Sequence, residues 1–155
     1  MNTVSLRMSK IVPLAQDYIT LMQSPDPQTV YLYTPGLARC DNGRLIATID
    51  VGGPGVKQHF EGPMHPHLRH DWHFQGRVFT SDDRGRTWTP RVSFPFLHAR
   101  PFVAGGSIYV LGQAGDLMVI RSDDNGESWS TPVALSKGQH WHQSACNVHY
   151  AHGCV

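Results

Sequence analysis

One eight-residue pattern occurs twice, and its spacing restricts what this chain can fold into more than any other feature. Ser81-Asp82-Asp83-Arg84-Gly85-Arg86-Thr87-Trp88 returns as Ser122-Asp123-Asp124-Asn125-Gly126-Glu127-Ser128-Trp129, an offset of 122 − 81 = 41 residues. A period in this range belongs to arrays of small sheets in which each unit buries its apolar face only against a neighbour. The flanks repeat as well: Arg77-Val78-Phe79-Thr80 and Met118-Val119-Ile120-Arg121 lead into the copies, and Pro90 and Pro132 follow them. Short β-branched and aromatic bursts separated by turn residues point to strands.

Reading outward gives four strands per unit: Thr34–Arg39, Leu45–Val51, Arg77–Ser81 and Thr87–Ser93, then Arg100–Ala104, Ser107–Gly112, Leu117–Ser122 and Ser128–Ala134. Asp41-Asn42-Gly43, Gly105-Gly106 and Ala114-Gly115-Asp116 supply turns. A third unit is expected to start at Ala145–Tyr150 and turn at His152-Gly153, and Tyr18–Met22 reads as an N-terminal strand closing a last blade. The fold class is all-β, a partial propeller of four-stranded antiparallel blades. Residues 1–29 form the closing strand and linker, 30–93 the first blade, 94–134 the second and 135–155 the start of a third. Two blades and part of another leave unpaired edges, which suggests a piece of a longer, six-bladed chain.

Within the repeat, Ser81 and Asp83, like Ser122 and Asp124, have short side chains suited to accepting hydrogen bonds from their own turn. Gly85 and Gly126 suit a positive φ, and Trp88 and Trp129 open the next strand with a ring to bury between blades. These residues therefore read as staples. They also resemble the Asp box, S-x-D-x-G-x-T-W, of sialidase-like (BNR-repeat) propellers, a likeness that extends to the organisation of the whole chain. That resemblance implies a glycan-active protein, a glycoside hydrolase relative, with the non-catalytic glycan- or protein-binding propeller as the alternative and an inactive truncated fragment as a third.

Strand parity locates the site independently. In an antiparallel blade the first and third turns share one end, and the second loop and the crossover share the other. The latter end receives 52–75, 94–99 and 135–144, which hold His59, His65, His67, His70, His73, His98, His140 and His142, eight of the ten histidines. A long connection on a rigid scaffold is a usual place for function. The His65–His73 run admits a metal reading, a substrate-contact reading and a solvated loop; its spacing matches no familiar ligand motif, and no metal or other cofactor is assigned. The resemblance implies an acid/base carboxylate just before the first box strand. Asp71 matches that place, beside Trp72, and Asp50 competes with it, as does a merely structural aspartate. Arg100, His98, His140, His142, His73 and Trp72 are the expected substrate contacts. The family's first-blade Arg-Ile-Pro is replaced by Tyr33-Thr34-Pro35, so the carboxylate-gripping arginine is missing there, and sialic acid is disfavoured as the substrate.

Charge narrows the partners. Charged residues make up 16% and the formal net charge is +1, with no basic block to attract nucleic acid or an anionic membrane. No stretch has the roughly 20 apolar residues of a membrane span. Cys40, Cys146 and Cys154 form neither a disulfide framework nor a zinc pattern. Met1–Ser24 lacks a signal-peptide core, so the default localisation is cytoplasmic. The expected partner is a carbohydrate.

Overall fold

The computed structural model describes residues 17–66, 71–142 and 149–154. It contains two four-stranded antiparallel sheets in sequence order. The first is β1 (Tyr31–Arg39), β2 (Leu45–Gly53), β3 (His73–Ser81) and β4 (Thr89–Phe94), with a one-turn helix α1 (Val56–His59) in the β2–β3 loop. The second is β5 (Leu97–Ala104), β6 (Ser107–Ala114), β7 (Asp116–Ser122) and β8 (Val133–Ala134). This is a partial β-propeller: two blades laid side by side, with β5 packed along β1 and β2.

Alternation in β2 explains the stacking. Ile46, Thr48 and Asp50 face the second blade, while Ala47, Ile49 and Val51 face away. The core between the blades joins Ile46, Val78 and Phe94 of the first to Phe96, Ala99, Ile108, Val110 and Ile120 of the second. Removing this apolar surface from water stabilises the pair of blades by about 25 cal/mol per Å². Within it, Thr48 Oγ1 donates to the Ala99 carbonyl at 3.0 Å. The innermost strands approach closely because Gly36 has no side chain; a Cβ there would lie 2.5 Å from Thr48 Oγ1 and 2.6 Å from the Pro101 ring.

The outer face of the first blade is covered by the chain itself. Val30, Val51 and Val56 are buried together, and Met22, Leu32, Phe60 and Met64 pack on them. The residues expected to form an N-terminal strand, Tyr18–Met22, form none: Tyr18 and Ile19 are exposed, and Met22 joins this apolar cluster instead. In the second blade the outermost strand is only two residues long, against the expected Ser128–Ala134. Ser130 explains the loss: its hydroxyl accepts from Arg121 N–H at 3.0 Å in place of a ladder carbonyl, and Pro132 has no N–H to give. Of the expected third unit, 145–148 lie outside the described residues. Ala151 and Cys154 pair across His152-Gly153, both at positive φ, as a two-residue hairpin turn.

The two repeated hairpins are superimposable in their bonding. Ser81 Oγ donates to Asp83 Oδ1 at 2.8 Å and accepts from Gly85 N at 2.8 Å, and Asp83 Oδ1 accepts from Thr87 N at 2.9 Å. Ser122, Asp124, Gly126 and Ser128 repeat these contacts at 2.8, 2.8 and 2.9 Å. Gly85 and Gly126 both sit at φ 85°, where a Cβ would be strained. Trp129 packs on the core between the blades, with Nε1 donating to Gly126 O at 3.1 Å. Trp88 is half-buried on the far side of its own blade, outside that core, so only the second box's ring lies between the two blades seen here.

Candidate functional site

The β1–β2, β3–β4, β5–β6 and β7–β8 turns share one end of the sheets. The β2–β3 and β6–β7 connections, the β4–β5 crossover and the segment after β8 share the other. Both innermost strands enter from the second end through the same irregularity. The register slips between Tyr33 and Gly36 in β1 and between Leu97 and Arg100 in β5. Each slip contains a non-glycine residue in the left-handed region, Thr34 at φ 48° and His98 at φ 54°. Strain of this kind persists only where surrounding bonds hold it.

Asp50 is what holds it. Opposite Tyr33 on β2 and 1% exposed, it accepts through one oxygen, Oδ2, both the Thr34 hydroxyl and the His98 N–H, the latter at 2.7 Å. One carboxylate thus ties the bulges of two blades. Its other oxygen, Oδ1, and the Tyr33 hydroxyl are buried without a hydrogen-bond partner among the described residues. Burial pushes the Asp50 pKa up to about 7 against the opposing pull of the Thr34 and His98 bonds and the Arg100 charge. Burial and the neighbouring Asp50 together raise that of Tyr33.

Around this centre, Arg100 donates from Nη1 to the Thr34 carbonyl at 3.0 Å and the Pro35 carbonyl at 2.5 Å, which commits it to backbone. Gln113, the counterpart of Asp50 in the second blade's register, places Nε2 3.5 Å from His98 Nδ1. His142 meets the His98 ring edge-on at 5.7 Å between centroids. His140 is exposed on the same segment, whose chain is pinned by Asp116: that carboxylate accepts from Gln139 N at 2.9 Å, Gly138 N at 3.0 Å and Ser136 Oγ at 2.8 Å. Trp141 remains 45% exposed beside it.

A second group lies along the β2–β3 loop. Trp72 stacks on Tyr31 at 5.2 Å and 28°, and Phe74 follows at 6.0 Å, giving an aromatic shelf at this end. His73 pairs with Gly53, and its Nδ1 is buried without a hydrogen-bond partner among the described residues. Asp71 is exposed in the turn that precedes these residues. His67, Arg69 and His70 lie outside the described residues, and among the described residues no three His, Cys, Asp or Glu side chains are grouped to hold a metal ion.

The geometry therefore brings Asp50, His98, Arg100 and His142 together. It sets Trp72 and His73 on a neighbouring shelf and leaves Asp71 and His140 at the surface. Sequence reasoning missed Tyr33, Thr34 and Gln113. The available signal was an acidic residue inside the otherwise uncharged alternation Leu45-Ile46-Ala47-Thr48-Ile49-Asp50-Val51, where a carboxylate must be buried on one face.

No family model and no curated protein matches the chain. Among solved structures it is similar to an α-L-arabinofuranosidase from Fusarium graminearum, determined with an iminosugar inhibitor, at 16% identity and a TM-score of 0.49 over 75% of this chain and 35% of that one. It is also similar to a protein of unknown function from Dyadobacter fermentans, at 11% identity and a TM-score of 0.37 over 68% of this chain and 51% of that one. The chain thus spans about a third and about half of the lengths of these two structures.

Proposed function

We propose that these blades belong to a sialidase-like, glycan-active propeller that hydrolyses glycosidic bonds, with Asp50 as the proton donor. The observation that carries this reading is the buried carboxyl of Asp50, held by Thr34 and His98 through one oxygen, with no hydrogen-bond partner among the described residues at the other. A general acid for a glycosidic oxygen must keep its proton near neutral pH, and burial provides that. As the proton leaves, the new carboxylate is already met by the Thr34 hydroxyl, the His98 N–H and the Arg100 charge. The Tyr31–Trp72 shelf is suited to a sugar face. Arg100 is occupied with backbone carbonyls, which favours a neutral sugar over one held by its carboxylate.

The test is turnover of a panel of aryl glycosides by the full-length protein. Asp50→Asn should lower kcat by about 10²–10⁴-fold, with Asp71→Asn near wild type. The reverse pattern transfers the role to Asp71, and normal turnover in both variants rejects the hydrolase reading. The shelf favours a second reading, a non-catalytic glycan-binding propeller. That version predicts saturable sugar binding lost in Trp72→Ala and no turnover of any glycoside.

A further inference from the structure

On the opposite, outer face of the first blade is an arginine that takes no part in the Asp50 site. Arg77 is partly buried on β3 and takes part in no ion pair among the described residues. Desolvation lowers its pKa. Keeping a guanidinium partly out of water without a paired anion among the described residues is costly.

The surroundings fix its orientation. Fully buried Gln75 accepts from Arg77 Nη1 at 2.7 Å, and its own Nε2 donates to the Glu61 and Pro63 carbonyls at 3.2 and 3.3 Å. The Phe60 ring lies 4.9 Å from the guanidinium carbon. Loop, strand and ring therefore hold the fork beside a cleft of about 270 Å³ lined by His59, Phe60, Glu61, Arg77, Arg91 and Ser93. Ser93 stands directly across from Arg77 in the ladder and adds a hydroxyl. Arg91 contributes its stem, since its guanidinium is engaged by Glu127 and Thr80. Among the described residues Glu61 is the one acidic side chain lining the cleft; it is exposed and makes no ion pair with Arg77. The equivalent position in the second blade is Met118 (77 + 41), so the feature is not part of the repeated scaffold.

We propose that this cleft is an oxyanion-binding site, in which the Arg77 fork, with Ser93 and His59, receives the carboxylate or sulfate group of a small ligand. An acidic sugar fits the size of the cleft and the planar, two-pronged recognition that guanidinium provides. The site is independent of Asp50 and lies on the other face of the blade.

Nuclear magnetic resonance titration of the full chain tests it, using glucuronate, inorganic sulfate and, as the uncharged control, glucose. Glucuronate should shift the Arg77 Nε–H and the Ser93 and Gly62 amides saturably, with glucose silent. Arg77→Lys should weaken binding at least about tenfold, because a point charge replaces the fork. Arg77→Met, which keeps the stem against Phe60, should abolish it. Saturable binding of sulfate without glucuronate supports the oxyanion site and assigns a sulfate source. The absence of shifts with both anions overturns the proposal, as does unchanged affinity in Arg77→Met. Should Arg77→Met fail to fold, Arg77→Lys decides: undiminished affinity there also overturns it. Because the readout is binding, failure here is separable from loss of turnover at Asp50.

Discussion

Asp50 and the box aspartates titrate in opposite senses, and each leaves its own mark on stability. Asp83 is held down to about 2 by the Thr87 N–H and hydroxyl with Ser81, and Asp124 to about 2 by the Ser128 hydroxyl and N–H with Ser122. Their folded pKa values lie below the unfolded value, so the stability they add is present above about pH 4 and disappears as pH falls through about 2. Asp50 is raised from 3.8 to about 7, so the folded state retains a proton that the unfolded chain has lost. Its contribution is therefore greatest below pH 4 and is lost as pH rises towards 7. Asp50→Asn should flatten the decline in stability between pH 4 and 7, measured by urea unfolding at stepped pH. An unchanged slope in the variant would show that Asp50 is ionised throughout. Asp83→Asn and Asp124→Asn should instead reduce acid sensitivity below pH 4 while lowering stability at neutral pH.

At the level of elements, the box end of the interface is clamped by charge as well as by apolar packing. Arg44 grips Asp82 at 2.6 and 2.8 Å and reaches across to Glu127 at 2.5 Å, and Arg91 also binds Glu127. Glu127→Gln should lower Tm at low salt by an amount equivalent to about 1 kcal/mol or less, and the difference should shrink in 1 M NaCl. The two tryptophans should differ more. Trp129→Ala removes a ring from the core between the blades and should cost about 3 kcal/mol, whereas Trp88→Ala, outside that core, should cost visibly less in the same denaturant series. The boxes were legible because every bond in them is local. The length of β8 was not, because a serine hydroxyl replacing a ladder carbonyl at Arg121 depends on where Ser130 falls relative to the neighbouring strand. Nor was the fate of Tyr18–Met22, whose alternation suits a strand but whose Met22 finds an apolar partner in Val30, Val51 and Val56.

For the molecule as a whole, one continuous core spans both sheets, so the blades should unfold together. Ile46→Ala, at the centre of that core, should destabilise by about 2–5 kcal/mol and leave far-UV dichroism and tryptophan fluorescence with coincident transitions. Separated transitions would mean that each sheet stands alone. Which loops meet at the end bearing the candidate site followed from strand parity alone. Which side chains meet there did not. Asp50, Thr34 and His98 converge only because two separate bulges bring distant parts of the chain onto one oxygen, and bulges leave no clear trace in composition. The same limitation hid Arg77, whose isolation is a property of its neighbours.

The two blades differ most where β2 passes to β3: the first carries a long excursion with α1, and the second turns back through Gly115 alone. Any molecule resting on that end therefore meets a long loop from the first blade and, from the second, the segment after β8 that carries Trp141 and His142. Recognition can then be rewritten by exchanging a single stretch of chain, while the hydroxyl-and-carboxylate knots at the far pole go on holding the scaffold as before.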